Sequence, residues 1–167
     1  MEPVNEATDL VLERVLNAPL DRVWRAWTDA EQLKQWWCPR PWTTPEAVIE
    51  PRPGGRFYTR MEGPNGEGVS GGDGCILEVI PQQRLTWTGA LMAGFRPSAN
   101  GLSCGGDEPN MTFTAIISFE DAGEGRTHYR AHVMHADPRG RDAHAKMGFH
   151  EGWGAAVGQL EELAAAA

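Results

Sequence analysis

The sequence predicts one α+β domain over residues 1–167, with a curved antiparallel sheet of about seven strands packed around a long C-terminal helix. Its length of 167 residues is that of a single ordinary domain. In the middle of the chain, short runs that alternate apolar and polar residues are separated by Gly, Pro, Asn and Asp, which is typical of antiparallel strands joined by turns. The C-terminal part repeats its apolar residues at helical spacing instead. A sheet with one apolar face needs a cover, and this helix can provide it.

The N-terminal part predicts a strand followed by two short helices. Alternation over residues 9–17 indicates the strand. Pro19 suits the first turn of a helix, where its missing N–H costs least, and apolar residues follow it at helical spacing. Asp29 is a suitable N-cap for the second helix, which we expect to continue through Trp36 and Trp37 and to end before Pro39.

Six further strands are predicted, at residues 47–50, 56–61, 68–80, 84–88, 111–119 and 127–135. In the last of them, the residues expected to face the core are Thr127, Tyr129, Ala131 and Val133. Residues 90–109 show no period and predict a long flexible loop, which is either a functional flap or a partly disordered segment.

Residues 138–166 predict one long helix. Its apolar stripe comprises Phe149, Trp153, Val157, Leu160 and Ala164, and its polar face comprises Arg141, Lys146, Glu151, Gln159 and Glu162. Gly148, Gly152 and Gly154 interrupt this helix, and each costs about 1 kcal/mol relative to Ala in a helix interior. We therefore expect either the close approach of another backbone or a soft stretch at these glycines.

The acidic composition argues against several classes of partner. A net charge of −8 and a pI near 5.1 disfavour nucleic acids and anionic membrane surfaces, which need clustered basic residues. No apolar run is long enough to span a bilayer, and the polar N-terminus lacks a signal-peptide pattern, so we expect a cytoplasmic protein. The cysteines Cys38, Cys75 and Cys104 are widely spaced and include no Cys-x-x-Cys pair. We expect reduced thiols, no structural zinc and no cofactor.

Three motifs, in matching order, resemble one protein family. They are residues 18–28 (APLDRVWRAWT), residues 33–37 (LKQWW) with residues 52–57 (RPGGRF) after a Pro-rich segment, and residues 147–154 (MGFHEGWG). The family is that of the activator of heat-shock-protein-90 ATPase homologues, within the START/SRPBCC superfamily, whose helix-grip fold also occurs in birch-pollen-type allergens. The resemblance implies this fold for nearly the whole chain. The eukaryotic co-chaperones of the family carry an additional chaperone-binding N-terminal domain, for which we expect no room here.

The resemblance also implies an apolar pocket, because the sheet and the long helix of the helix-grip fold do not close completely. The residues expected to line it are Trp36, Trp37, Phe57, Met61, Trp87, Phe113, Tyr129, Phe149 and Trp153. Small-molecule sites are usually lined in this way, with few polar groups. The alternative is that the same residues fill the core at ordinary packing density.

No catalytic residue is assigned from the sequence. His150 and Glu151 are weak candidates, because they lie beside Trp153 on the predicted helix, where burial would shift their pKa values. We favour instead a solvated or capping role for Glu151 and a packing role for His150. Cys38 and Cys75 have no base nearby in the sequence that would make either a nucleophile.

The histidine spacing does not predict a metal site. His128 and His132 share a strand face but lie about 13 Å apart at about 3.3 Å per residue, too far to bind one ion. His144 and His150 do not share a helical face, although His135 could pair with His144 after the turn. The glycine-rich residues 71–74 lack the Lys-Ser/Thr ending of a phosphate-binding loop, and strand curvature explains them better.

Three functions therefore stay open. The first, which we favour, is a non-catalytic bacterial domain, regulatory or stress-related, that binds a small apolar, aromatic or lipid-like molecule. The second is a cyclase or hydrolase of the kind known in the superfamily, acting in the same pocket. The third is a co-chaperone-like module that docks on a chaperone through its surface. A monomer and a homodimer are both compatible with each.

Overall fold

A computed structural model describes residues 2–68, 70–99 and 109–166. In chain order the elements are β1 (Asp9–Leu16), α1 (Leu20–Thr28), α2 (Ala30–Leu33), β2 (Thr43–Ile49), β3 (Arg56–Glu62), β4 (Ser70–Ile80), β5 (Arg84–Thr88), β6 (Leu91–Met92), β7 (Arg96–Pro97), β8 (Phe113–Gly123), β9 (Arg126–His135), α3 (Pro138–Lys146) and α4 (Phe149–Ala166). A single 3-10 turn, Ala93–Phe95, joins β6 to β7.

Seven of the strands form one curled antiparallel sheet, and this confirms the predicted helix-grip architecture. The strand order is β1-β9-β8-β5-β4-β3-β2, while β6 and β7 form a separate small hairpin. The register aligns apolar residues in rows on the inner face: Leu12 pairs with Ala131, which pairs with Ile117, and Ile117 pairs with Leu85. The inward set predicted for the last strand, residues 127, 129, 131 and 133, is fully buried.

Helix α4 lies in the hollow of the sheet and is tied to the edge strand β1. The Arg14 guanidinium donates to the Gly154 carbonyl at 2.8 Å, and the Glu161 carboxylate accepts from the Asn17 amide at 3.0 Å. An added Cβ at Gly154 would contact the Arg14 guanidinium at 2.6 Å. The close approach expected at the helix glycines therefore exists at Gly154, but it involves a side chain and not a backbone.

Gln159 ties α4 to the segment after α2, and its predicted position on the exposed polar face is wrong. Its side chain is buried, accepts from the Arg40 amide at 2.9 Å, and donates to the carbonyls of Trp36 and Cys38 at 3.2 and 2.8 Å. Burial of the Gln159 amide costs little free energy, because each hydrogen bond that the amide loses to water is replaced by one of these bonds.

The C-terminal region is two helices, which corrects the prediction of one. Helix α3 ends at Lys146, and Gly148 then takes a φ of +95°, a left-handed conformation that other residues rarely adopt. The Gly148 amide bonds the Ala145 carbonyl, as is usual for a glycine just past a helix end. The apolar stripe predicted for one long helix, Phe149 to Ala164, lies wholly within α4, so it carried no information about the break.

Smaller differences concern element ends. Helix α2 ends at Leu33, and the chain continues to Trp37 in hydrogen-bonded turns instead of helix. Strand β2 begins at Thr43, earlier than predicted, with an irregularity before Glu46. The predicted loop over residues 90–109 contains the β6–β7 hairpin, and its residues 100–108 lie outside the described part of the chain. No described helix is both long and apolar enough to cross a membrane.

Candidate ligand-binding site

One apolar cavity of about 400 Å³, here called the sheet cavity, lies against the inner face of β3, β4 and β5. Its walls include the rings of Trp37, Phe57, Trp87 and Phe113, the side chains of Met61 and Met111, and the glycines of β4. This volume falls within the roughly 300–1,000 Å³ typical of small-molecule sites.

The glycines of β4 explain why the sheet cavity is open. Gly72 lies opposite Thr59 on the inner face, and an added Cβ there would meet no atom within 4 Å. An added Cβ at Gly74 would instead come within 2.6 Å of the Thr88 carbonyl oxygen. The sequence pointed to these glycines as a cause of curvature, but their part in the cavity wall was missed. A run of glycines on the inner face of a strand is the signal that could have found it.

A second cavity of about 220 Å³, here called the helix cavity, lies beside α4. Its lining residues are Trp36, Trp37, Cys38, Pro39, Met61, His144, Gly152, Trp153 and Ala156. Trp37 and Met61 line both cavities, so these two side chains stand between them. The two cavities together mark the place where the sheet and α4 do not close on each other.

A cluster of tryptophans positions Trp37 between the cavities. Trp27 of α1 is fully buried, and its ring centroid lies 4.9 Å from that of Trp36. The Trp36 indole donates to the Ala26 carbonyl at 2.9 Å, which fixes the turn that carries both tryptophans. The Trp37 ring has five aromatic neighbours at 5.3 to 6.5 Å, which are Trp27, Trp36, Phe57, Trp87 and Trp153. Edge-to-face contacts at these distances stabilise a fixed ring orientation.

Seven of the nine residues predicted to line a pocket lie in a cavity wall, and Tyr129 and Phe149 do not. Tyr129 is fully buried, and its hydroxyl accepts from the Trp153 indole at 3.2 Å. Burial raises the pKa of Tyr129, so the phenol stays protonated. Phe149 packs against the Trp153 ring at 5.3 Å. Both residues contact Trp153 and not a cavity. The alternation of residues along a strand shows which face a side chain is on, but it does not distinguish a residue that lines a cavity from one that supports the lining.

Two polar residues of the cavities, Asp73 and Cys38, have side-chain partners. Asp73 of the sheet cavity accepts two parallel hydrogen bonds from Arg56, at 3.1 and 2.8 Å, which occupies its carboxylate. Cys38 of the helix cavity lies 3.1 Å from the Thr44 hydroxyl. Burial raises the pKa of the Cys38 thiol, so the thiolate that nucleophilic attack requires is disfavoured.

His144 adds a polar group to the helix cavity and pairs with His135. The two rings are joined by a contact of 2.9 Å between His135 Nε2 and His144 Nδ1, as the sequence had suggested. His144 also stacks on Phe113 with centroids 5.3 Å apart. Burial, with a smaller effect from His135, lowers the pKa of His144 to about 4, and burial lowers that of His135 as well.

His150 and Glu151, the weak catalytic candidates, lie outside both cavities. His150 is exposed, and its Nε2 donates to the Val11 carbonyl on the edge strand β1 at 3.1 Å. Glu151 is exposed too. Because neither side chain reaches a cavity, the structure does not bring them to any position where they could act on a bound molecule.

The other two histidines each contact a carboxylate. His128 lies 2.8 Å from Glu13, and His132 lies 2.8 Å from Asp9, on separate parts of the outer face of the sheet. Within residues 2–68, 70–99 and 109–166, no group of three or more His, Cys, Asp or Glu side chains could hold a metal ion.

Comparisons with known proteins agree with this architecture. The model of the family described as Activator of Hsp90 ATPase homolog 1-like protein matches residues 17–165. The chain belongs to this family. A crystal structure of a Nitrosomonas europaea protein is 40% identical, with a TM-score of 0.85 over 96% of both chains. A Rhodobacter sphaeroides protein is 25% identical, with a TM-score of 0.79 over 99% of this chain and 97% of that one. Among curated proteins, no significant match is found.

A more distant relative shows the same fold. An AHSA1-like protein from Aeromonas hydrophila is 18% identical, with a TM-score of 0.67 over 93% of this chain and 90% of that one. In the present member of the Activator of Hsp90 ATPase homolog 1-like family, the motifs that suggested the family contribute to the cavity walls. Residues 33–37 supply Trp36 and Trp37, residues 52–57 supply Phe57, and residues 147–154 supply Gly152 and Trp153.

Proposed function

We propose that this protein binds a small apolar, aromatic or lipid-like molecule between the sheet and α4, and that it acts without turnover as a regulatory or stress-related protein of the bacterial cytoplasm. The observation that carries the proposal is the pair of adjoining cavities, of about 400 and 220 Å³, on either side of Trp37 and Met61. Concave, mainly apolar pockets of this size are typical of small-molecule sites, so open volume beside an aromatic cluster favours an occupant.

The states of Asp73, Cys38 and His150 support binding without chemistry. The carboxylate of Asp73 is occupied by Arg56, the Cys38 thiol is held protonated, and His150 lies outside both cavities. The free thiols of Cys38 and Cys75 agree with a reducing compartment. An enzyme of the cyclase or hydrolase type would need an acid or base in contact with its substrate, and the residues first considered for that role do not provide one.

A chaperone-binding role is the second candidate, and exposed apolar side chains favour it. Phe95 and Met92, at the β6–β7 hairpin, are 51% and 42% exposed. Exposed apolar groups of this kind are common at protein interaction sites. The two candidates separate experimentally, because substitution of Phe95 would weaken a surface interaction and leave a ligand in the cavities untouched.

Filling the cavities tests the proposal. Gly72→Leu places a side chain in the sheet cavity, and Gly152→Leu places one in the helix cavity; neither position has a neighbour within 4 Å of the added Cβ. Gly158→Leu on the same helix is the matched control, because its Cβ is also free of contacts and it lines neither cavity. We expect Gly72→Leu to be no less stable than the wild type, because Gly is unfavourable within a strand such as β4.

The measurement is the ligand-induced rise in melting temperature across a panel of lipids, aromatic compounds and polyketides. A ligand at about 100 times its Kd should add about 2.7 kcal/mol to the free energy of unfolding. We expect at least one compound to raise the melting temperature of the wild type and of Gly158→Leu, and to lose that effect in Gly72→Leu or Gly152→Leu. A panel that leaves the wild type unchanged, or a response that survives in both filled variants, would contradict the proposal.

A further inference from the structure

The hydrogen bonds of His135 determine which of its nitrogens carries the proton. Its Nδ1 lies 3.0 Å from the Thr8 carbonyl oxygen, which can only accept. His135 Nδ1 must therefore carry a proton, and in the neutral ring its Nε2 is left with a lone pair. The pKa of His135 is lowered by burial, which favours that neutral ring.

The proton shared by the two rings consequently belongs to His144. Because His135 Nε2 accepts, His144 Nδ1 donates across the 2.9 Å contact. A neutral His144 then has its own lone pair on Nε2. Thr8, His135 and His144 thus form a directed chain in which each ring donates through Nδ1, and the chain ends on an unprotonated nitrogen. The second partner of a histidine commonly fixes its tautomer in this way.

The unprotonated Nε2 of His144 is the ring nitrogen left for the helix cavity. His144 lines the cavity, and its Nδ1 is engaged at His135 on the other side of the ring. The competing acceptors in the wall are occupied: the carbonyls of Trp36 and Cys38 both receive the Gln159 amide. Among the described side chains that line the helix cavity, His144 Nε2 is thus the strong acceptor left without a partner.

We propose that His144 is the recognition residue of the helix cavity, accepting a hydrogen bond from the hydroxyl or N–H group of an otherwise apolar ligand such as a phenol, and that His135 is the positioning residue that fixes its tautomer. This rests on the proposed function, because it requires a ligand in the cavity. The remaining walls are mainly aromatic and aliphatic, so they suit the apolar body of such a ligand.

A neutral donor fits this site better than an anion. Around His144 the groups in contact are His135 from β9, Phe113 from β8 and Phe149 from α4, none of which supplies a positive charge when His135 is neutral. An anion placed there would lose its hydration without a compensating cation. A hydroxyl group loses less, and it regains a hydrogen bond at His144.

The binding test compares two probes that differ in one donor, naphthol and methoxynaphthalene, by calorimetric titration. We expect the wild type to bind naphthol about tenfold more tightly, the size of one satisfied hydrogen bond. His144→Phe should lose this preference and still bind methoxynaphthalene. His150→Phe, on an exposed residue outside the cavities, should keep the preference.

The outcomes separate the two proposals. Equal affinity of the wild type for both probes, or an unchanged preference in His144→Phe, would overturn the role of His144 and leave ligand binding in place. If neither probe binds the wild type and no compound of the panel described above raises its melting temperature, ligand binding itself is overturned.

A second measurement needs no variant in the cavity wall. Long-range proton–nitrogen NMR spectra of the wild type identify the protonated nitrogen of each ring, and we expect Nδ1–H in both His135 and His144. His135→Phe removes the acceptor, so the Nδ1–H tautomer of His144 should give way to a mixture and the preference for naphthol should fall. A role for His135 in folding alone would leave the tautomer of His144 unchanged, and an Nε2–H tautomer in the wild type would overturn the proposal.

Discussion

Two histidine–carboxylate pairs on the outer face of the sheet have equal lengths and different surroundings. His132 and Asp9 are 2.8 Å apart with side chains 0% and 6% exposed, whereas His128 and Glu13 are 2.8 Å apart with side chains 33% and 48% exposed. Asp9 also accepts from the Asn5 amide and the Thr8 hydroxyl. The buried carboxylate thus has three donors that would lose their partner together, while water can replace Glu13.

We predict that Asp9→Asn lowers the free energy of unfolding by about 1–3 kcal/mol, because an amide cannot accept from all three donors. Glu13→Gln, the matched change in the exposed pair, should cost less than about 1 kcal/mol. Urea unfolding of the two variants and the wild type measures both values. Equal effects would show that burial does not control the strength of these pairs.

The cost of Asp9→Asn should also depend on pH. Burial alone would raise the pKa of Asp9, but the hydrogen bonds from Asn5, His132 and Thr8 outweigh it and hold the pKa below the ordinary 3.8. A carboxylate with a lowered folded-state pKa stabilises the fold above its unfolded pKa, and this stability is lost as the pH falls through the folded value. The difference between wild type and Asp9→Asn should therefore be constant near neutral pH and shrink in acid.

At the scale of elements, the break between α3 and α4 depends on one glycine. Gly148 has a φ of +95°, which a side chain would strain, whereas Gly158 lies inside α4 with no neighbour near an added Cβ. We predict that Gly148→Ala destabilises the protein by about 1–2 kcal/mol and that Gly158→Ala stabilises it by about 0.5–1 kcal/mol. Thermal unfolding of both variants checks the opposite signs, and two shifts of the same sign would contradict this explanation.

These glycines also show what could be predicted from sequence. Turn residues such as Asn65 and Gly66 separate the alternating runs of the sequence, so the division of the chain into successive strands followed from local chemistry. From the sequence, however, a glycine inside a helix cannot be told apart from a glycine that ends one. Gln159 was placed on the exposed face for a similar reason: its polarity indicated solvent, while its partners at Trp36 and Cys38 come from a segment about 120 residues away.

The candidate site was predicted in part, for the same physical reason. Alternation identifies the residues on the inner face of the sheet, and among these Phe57, Trp87 and Phe113 line a cavity. It does not reveal whether the space in front of them is filled. Tyr129 lies on the expected face yet supports Trp153, and Gly72 contributes to the cavity by having no side chain.

At the scale of the whole molecule, the seven-stranded sheet and α4 close on each other at both edges and leave open volume between them. Arg14 and Glu161 hold α4 to β1, and Gln159 holds it to the segment before β2. The open volume at Trp37 lies between these two sets of contacts. The central claim is that a small molecule occupies this volume.

Native mass spectrometry of the protein purified from its own host tests that claim most directly, with the denatured mass of the same sample as the reference. We predict an excess mass in the native protein that disappears on denaturation and that is reduced in Gly152→Leu but not in Gly158→Leu. Identical native and denatured masses, together with no compound that raises the melting temperature of the wild type, would contradict the account and favour a protein partner at the surface instead.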